Sequence, residues 1–244
     1  RIMLNLERAR ELPAMRSRHV IVNAAAQRLT MYEGNQVVDS MRIVAGKPGQ
    51  PTPNMAAFIR YTSLNPYWNV PPDLAQSIIA KNVQKNGLGY LRQKGYQVLG
   101  NTSGKPIDPK SINWKAVASG QQQIRVRQNP GPANSMGRMK FMFPNKEGIY
   151  LHDTPRDELF DEASRLLSAG CVRLQDAPRF ARWLHGKPLK PQGARPEQKV
   201  EVPTPVPVYL MYMTALPSGS RMAFFEDLYG WDAARLRQQR TRRG

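Results

Sequence analysis

A chain of 244 residues, 41% of them hydrophobic, is long enough to fold around one sizeable core, and no apolar run in it is long enough to cross a bilayer as a helix. The 36 lysines and arginines outnumber 18 acidic residues, and the formal charge of +18 favours an anionic partner: nucleic acid, an anionic lipid surface or a carboxylate-rich polymer. The single cysteine excludes a disulfide within the chain.

The first quarter of the chain predicts a short helix followed by a β-hairpin. Helical spacing over residues 5–12 stops at Pro13, so we expect a leading helix within residues 1–16. Because the sequence begins at Arg1 rather than Met, we expect an exported product whose signal or anchor is not part of it. Alternation of apolar and polar residues then predicts strands at residues 19–23, 28–32, 36–44 and 57–62.

A change in pattern marks residues 71–124 as an insertion. Residues 73–82 and 88–94 have helical periodicity, and a polar stretch rich in Gly, Ser and Gln follows them. Strand-like sequence resumes at residues 124–127. We therefore predict a helical capping subdomain, inserted in a catalytic domain of residues 17–218 and placed to cover its cleft.

The segment after the insertion carries the residues with the most chemical interest. Strand patterns at residues 140–143 and 148–152 put His152 at the end of a strand. Residues 157–167 have their apolar side chains on one helical face, which predicts a helix that ends just before Cys171. This predicted helix would bring the histidine and the cysteine back together.

The C-terminal part predicts one more core helix and a terminal segment of residues 219–244. Asp176 is a helix cap and Gly186 a helix stop, so we expect a helix between them. The sequence beyond predicts a rigid Pro-rich link at residues 203–207, strands at 208–214 and 222–226, and a short helix from Trp231. We interpret the basic tail as a solvated accessory; it contains Arg235, Arg237, Arg240, Arg242 and Arg243.

Cys171 and His152 lie nineteen residues apart and predict a nucleophile with its base. The thiol follows Gly170 and lies two residues before Arg173, and both exposed backbone N–H groups and a nearby cation favour a thiolate. The N–H groups of Gly170 and Cys171 are natural donors to the oxyanion of acyl transfer. Tyr150 shares a strand face with His152, so we expect it to line the same cleft.

The order of His152 and Cys171, with Ser-Ala-Gly-Cys-Val-Arg at residues 168–173, resembles the catalytic domain of L,D-transpeptidases, also called the YkuD domain. The resemblance runs from about Asn5 to Tyr229 and is strongest to the large periplasmic type with an inserted capping subdomain. Matching segments are residues 42–48, 65–71, 131–138, 140–145 and 150–155. Ala169 departs from the pattern, because relatives commonly have His or Ser there.

The resemblance implies a mostly β fold with α insertions: a YkuD-type β-sandwich catalytic domain with an inserted helical capping subdomain. It implies a periplasmic enzyme without cofactor or metal, whose thiolate attacks a donor stem-peptide carbonyl of peptidoglycan at an L-centre and forms a thioester. The acyl group then passes to the side-chain amine of a diamino acid in an acceptor stem, which makes 3-3 or 1-3 cross-links. Carbapenem β-lactams are the implied covalent inhibitors.

The resemblance also assigns roles to individual residues. It implies a nucleophile at Cys171, a general base at His152, oxyanion donors in the Gly170 and Cys171 backbone, loop support and substrate binding by Arg173, and a substrate cleft lined by Tyr150 and Trp68. It implies no third catalytic side chain, since a backbone carbonyl usually steadies the histidine in relatives.

Other functions remain open. A non-catalytic cell-wall-binding protein and an L,D-carboxypeptidase share the motif. A basic nucleic-acid-binding module accounts for the charge, but no helix-turn-helix, zinc finger or aromatic RNA-binding motif accompanies it, so we expect no nucleic-acid partner. Papain-like hydrolases place Cys before His, the reverse of the order here, and a zinc site would need closely spaced ligand pairs.

Overall fold

The structure, a computed structural model, describes residues 1–10, 12 and 17–241 and consists mainly of β-strands. In chain order the strands are β1 His19–Asn23, β2 Arg28–Glu33, β3 Gln36–Gly46, β4 Met55–Leu64, β5 Trp68–Val70, β6 Tyr96–Leu99, β7 Arg125–Gln128, β8 Met139–Met142, β9 Leu151–His152, β10 Leu166–Ser168, β11 Val172–Leu174, β12 Gln198–Met211, β13 Ala215–Ser218 and β14 Arg221–Phe224. The α-helices are α1 Ile2–Ala9, α2 Pro72–Leu74, α3 Lys81–Asn86, α4 Gly89–Gln93, α5 Trp114–Ala118, α6 Ala177–His185 and α7 Trp231–Thr241. Within the described residues, no helix combines the length and the apolar character needed to span a membrane.

One large sheet forms the body of the protein. Its strand order is β10-β3-β11-β9-β8-β4-β12-β1-β2, and β2 also pairs with β3, so the sheet closes on itself around the main core. The predicted N-terminal hairpin is part of it: Val20 and Val22 are fully buried, whereas Ile21 between them is only partly buried. Phe180 of α6 fills the core against Phe141. The predicted mostly β class with α insertions is confirmed.

A second, smaller unit lies between β5 and β7, where we expect the capping subdomain of residues 71–124. Strands β5, β7 and β6 form their own three-stranded sheet. Helix α4 contacts β6, and a π-helix at Ala75–Ala80 contacts α2, α3 and α5. The unit has a core of its own, made of Val70, Ala75, Ile79, Ala80, Val83, Leu91, Val98, Val117, Ile124 and Val126. One polar contact to the body is the Gln50 side-chain amide, which donates to the Asp73 carboxylate over 2.8 Å.

Removal of this unit should leave the body folded. Asn69 and Arg127 are register partners on β5 and β7, so a two-residue Asn-Gly turn in place of residues 70–126 joins them without strain. Because the two cores are separate, we expect the melting temperature to change by about 5 °C or less and substrate selection to be altered more than folding. Thermal unfolding followed by circular dichroism and peptide turnover measure the two effects; global unfolding would contradict a separable cap.

The helix predicted at residues 157–167 is wrong. The structure has a short 3₁₀ turn at Asp157–Asp161 and then the strand β10, which pairs in parallel with the end of β3. Leu159 and Phe160 of the turn are buried against Val44. The apolar residues that suggest one helical face are therefore buried in two different places, some in the 3₁₀ turn and some in β10. A strand rather than a helix leads into the cysteine loop.

The Pro-rich segment at residues 203–207 is not a link between elements. It lies inside β12, which runs from Gln198 to Met211 beside β4, and the register of that pairing shifts between Glu201 and Val206. Proline has an extended φ and no N–H group, so a strand accepts it where ladder hydrogen bonds are interrupted. Pro203 and Pro205 therefore lie where the pairing of one long strand with β4 is interrupted.

The terminal segment 219–244 packs against the body ahead of its basic tail. The predicted boundary falls in the turn of the β13–β14 hairpin, and Tyr229 and Trp231 beyond it pack against the main core. Arg242 and Arg243 of the predicted basic tail lie outside the described residues. The part of the segment before that tail is thus built into the body.

Of two predicted helices, the one between Asp176 and Gly186 has the predicted bounds and the leading helix does not. The helix between Asp176 and Gly186 is confirmed: the Asp176 carboxylate accepts the Arg179 N–H at 2.9 Å, and Gly186 has the left-handed conformation that ends helices. The leading helix is α1, which starts earlier than the predicted residues 5–12; its expected stop at Pro13 lies outside the described residues.

Candidate active site

Two short parallel strands bring four predicted site residues to one face of the large sheet. β9 and β11 pair so that Leu151 lies opposite Val172, and His152 opposite Arg173. Leu151 and Val172 are fully buried in the main core. Side chains alternate along strands, so the neighbours of these two residues share the opposite face. Those neighbours are Tyr150, His152, Cys171 and Arg173.

His152 is held as a neutral base. Its side chain is buried, and Nδ1 lies 2.6 Å from the backbone oxygen of Asp153. A carbonyl oxygen only accepts, so Nδ1 carries the proton and Nε2 keeps a free lone pair. Burial lowers the pKa of His152 to about 3, and the charges of Arg173 and Lys140 contribute in the same direction. At neutral pH the imidazole is therefore uncharged and free to accept a proton.

Cys171 is held as a neutral thiol. Its Sγ lies 3.8 Å from the Gly148 backbone oxygen, and Tyr150 is its neighbour on the same sheet face. Burial raises the pKa of Cys171, while the neighbouring Tyr150 and the charge of Arg173 act to lower it. The predicted influence of Arg173 is present, but burial outweighs it. The free protein therefore holds a thiol rather than the expected thiolate.

Ser168 closes the loop that carries the thiol. Its hydroxyl accepts the Gly170 N–H at 3.2 Å and donates to the Cys171 backbone oxygen at 2.5 Å. Gly170 has φ +107, a conformation that favours glycine, and a Cβ there would meet Ile149 at 3.1 Å. Of the two predicted oxyanion donors, the Gly170 N–H is thus engaged by Ser168, whereas the Cys171 N–H has no acceptor among the described residues.

Thr52 fastens this loop to the body, a role that we did not predict. Its Oγ1 accepts the Gly46 N–H at 2.9 Å and donates to the Gly170 carbonyl at 2.8 Å, and the residue is buried. The Tyr229 hydroxyl donates to the Gly46 carbonyl at 2.6 Å and accepts the Thr52 N–H at 3.3 Å. A serine two residues before a glycine is a local signal for Ser168. No local pattern connects Thr52 to Gly170, which lies 118 residues away.

Thr52→Val should loosen the cysteine loop. The substitution keeps the shape but leaves two buried backbone groups without their partner, each at a cost of about 1–3 kcal/mol. We expect a lower melting temperature and a fall in the Cys171 acylation rate of about tenfold or more, since small misplacements of reacting groups are costly. Thr52→Ser keeps the hydroxyl and should restore most of the rate. Equal acylation rates for Thr52→Val and wild type would contradict the role.

A cleft of about 460 Å³ lies between the cysteine loop and the capping subdomain. Predicted site residues Arg173 and Trp68 line it, and so do Ser168 and Ala169 of the cysteine loop, whereas the side chains of Cys171, His152 and Tyr150 do not. The other lining residues are Lys47, Gln50, Leu74, Ile78, Tyr90, Lys94, Tyr96, Gln128, Ala133, Ser135, Thr154, Pro155, Arg156 and Leu167. In the described part of the chain, no three His, Cys, Asp or Glu side chains are grouped to hold a metal ion.

Residues 17–208 match the family model of YkuD, the L,D-transpeptidase catalytic domain. The chain belongs to the YkuD family. The match covers most of the large sheet, the inserted unit and the cysteine loop together.

Relatives of this YkuD chain include one curated protein and several solved structures. A Haemophilus influenzae protein, provisionally named an L,D-transpeptidase, is 28% identical over 239 residues, which cover 95% of this chain and 48% of that protein. The YkuD chain thus spans about half the length of the curated relative. A solved L,D-transpeptidase from Mycobacterium smegmatis is 16% identical, with 80% of this chain and 58% of that chain covered and a TM-score of 0.39. Another, in complex with imipenem, is 14% identical, with 80% and 59% covered and a TM-score of 0.37.

Proposed function

We propose that this protein is a peptidoglycan L,D-transpeptidase with Cys171 as nucleophile and His152 as general base. The observation that carries the proposal is the pairing of β9 with β11, which aligns both residues on one sheet face inside a chain of the YkuD family. A neutral thiol and a neutral imidazole on one sheet face form a pair in which proton transfer and nucleophilic attack can occur together.

The first step is acylation. As Sγ of Cys171 bonds to the donor stem-peptide carbonyl at an L-centre, Nε2 of His152 takes the thiol proton. The carbonyl oxygen becomes an oxyanion, and the Cys171 N–H is the donor left free to stabilise it. The peptide C–N bond then breaks, and the imidazolium returns the proton to the departing amine. The product is a thioester, and the terminal residue of the donor is released.

The second step transfers the acyl group. The side-chain amine of a diamino acid in an acceptor stem attacks the thioester, His152 accepts a proton from that amine, and the C–S bond breaks. The thiol regains the proton, so the enzyme returns to its neutral resting pair. The bond formed joins two diamino acids at third positions, a 3-3 cross-link, or with a shorter donor a 1-3 cross-link.

The charge of the chain fits such a substrate. The formal charge of +18 attracts the carboxylates of the wall polymer, and we place the protein in the periplasm, where that polymer is accessible. Trp68 and Arg173 line the cleft, and Tyr150 contacts the thiol, so all three are proposed substrate contacts. Carbapenems acylate the same thiol under this proposal, and no cofactor takes part.

Purified stem peptides test the proposal. Wild type and Cys171→Ala are each incubated with a tetrapeptide donor and an acceptor stem, and the products are separated by mass spectrometry. We expect cross-linked dimers and released terminal residue from wild type only. Release without dimers would instead identify an L,D-carboxypeptidase. Binding to sacculi without either product would identify a non-catalytic wall-binding protein and overturn the proposal.

A further inference from the structure

The cleft has a strongly one-sided charge. Four of its lining side chains are cationic, Lys47, Lys94, Arg156 and Arg173, and the lining contains neither Asp nor Glu. Three of these cations come from the body and Lys94 comes from the capping subdomain, so positive charge faces the cleft from both sides. An anionic ligand in the cleft meets no carboxylate in its lining and is attracted by cations on both sides.

Arg173 has a buried polar atom without a partner among the described residues. Its Nε is buried without any hydrogen-bond acceptor, and within the described ranges it forms no salt bridge. Arg156, by contrast, is paired with Glu158 at 2.9 Å. Burial and the neighbouring Arg156 both lower the pKa of Arg173, because each disfavours its charged form. An anion in the cleft would supply the missing compensation.

Apart from Lys94 and Gln128, the capping side of the cleft is mainly apolar. Leu74, Ile78 and the rings of Trp68, Tyr90 and Tyr96 line it, and Ile78 is 42% exposed although it is a large hydrophobic side chain. A ligand that fits both walls has aliphatic groups on one side and an anionic group on the other. A peptide with a carboxylate on a side branch has this form.

We propose that Arg173, with Lys94 and Lys47, binds a free carboxylate of the donor stem, so that the enzyme selects stems whose carboxylates are not amidated. Arg173 lies two residues from Cys171 on the same sheet face, about 7 Å along the chain, which places the carboxylate within one residue of the attacked carbonyl. An amide has no negative charge and leaves the guanidinium uncompensated. The inference rests on the proposed function, because it names the substrate feature that the same site selects.

Three synthetic donors test the selection: a stem with free carboxylates, one amidated on the residue that supplies the attacked carbonyl, and one amidated on the residue before it. Acylation of Cys171 is followed without acceptor, by intact-protein mass spectrometry. We expect one amidated donor to acylate about tenfold more slowly, the effect of one charge-assisted hydrogen bond. Equal rates for all three would overturn the inference and leave the transpeptidase proposal standing.

Binding separates this inference from the catalytic one. Calorimetry on Cys171→Ala gives the affinity for the same donors when no acylation takes place. Tighter binding of the free-carboxylate donor supports the inference even if wild type acylates none of them, and equal affinities overturn it. Lys94→Gln should reduce the preference, whereas Lys110→Gln, an exposed lysine of the capping subdomain outside the cleft, should not. Higher salt should also reduce it.

Discussion

Cys171→Ala is expected to abolish covalent labelling by a carbapenem and to lower stem-peptide cross-linking by a factor of about 10⁴ or more. The chain has no second thiol to replace it. In wild type the sulfur should open the β-lactam ring: the S–C bond forms, the ring C–N bond breaks and the ring nitrogen takes the proton. Intact-protein mass spectrometry at neutral pH should then find one added carbapenem per chain.

A second variant, Cys171→Ser, and a stability measurement distinguish loss of the thiol from loss of the fold. Cys171→Ser retains the size of the side chain and its contact with Tyr150, so it should fold like wild type while it acylates far more slowly. Thermal unfolding of all three proteins checks that the loop is intact. A wild type that forms no adduct would mean that Cys171 is a buried inert thiol, since free cysteine is commonly buried.

His152→Gln should lower the acylation rate by about 10²–10⁴-fold, the usual contribution of a positioned general base. The loss should depend on pH. Without the base, the variant can react only when Cys171 is already ionised to the thiolate. The ionised fraction of Cys171 grows as the pH approaches its raised pKa. The gap between wild type and variant should therefore narrow at alkaline pH. A constant gap would mean that the histidine only supports the structure.

The pH dependence of wild type follows from the two shifted groups. The pKa of His152 is lowered to about 3, so its imidazole is already neutral across the range where ordinary histidines titrate. The pKa of Cys171 is raised, so the thiolate becomes abundant only above the usual thiol range. Alkylation of Cys171 by iodoacetamide should rise steadily with pH, without a histidine step near 6.5. A plateau in acid would instead indicate a thiolate–imidazolium pair.

Local patterns were sufficient for much of the fold. Alternation predicted the hairpin of β1 to β3, and a capping aspartate and a stop glycine predicted α6. Local patterns failed where tertiary contacts, rather than one helical face, bury the apolar side chains of a segment. Residues 157–167 repeat apolar side chains as a helix does, yet Leu159 and Phe160 pack on Val44 while Leu166 joins a strand. The spacing of apolar residues along a segment does not show which distant neighbour will bury each of them.

The sequence alone determined the family and was enough to propose the pair Cys171 and His152 and the inserted segment, because motif order and periodicity are properties of neighbouring residues. Only the tertiary structure decided the ionisation of that pair, since burial depends on what folds over each group and here outweighs the nearby cation. It also showed that Thr52 donates a hydrogen bond to the Gly170 carbonyl. Among the described residues, it showed that the buried Nε of Arg173 has no acceptor. The contact of Thr52 with Gly170 joins residues 118 positions apart, and such a contact leaves no local pattern in the sequence.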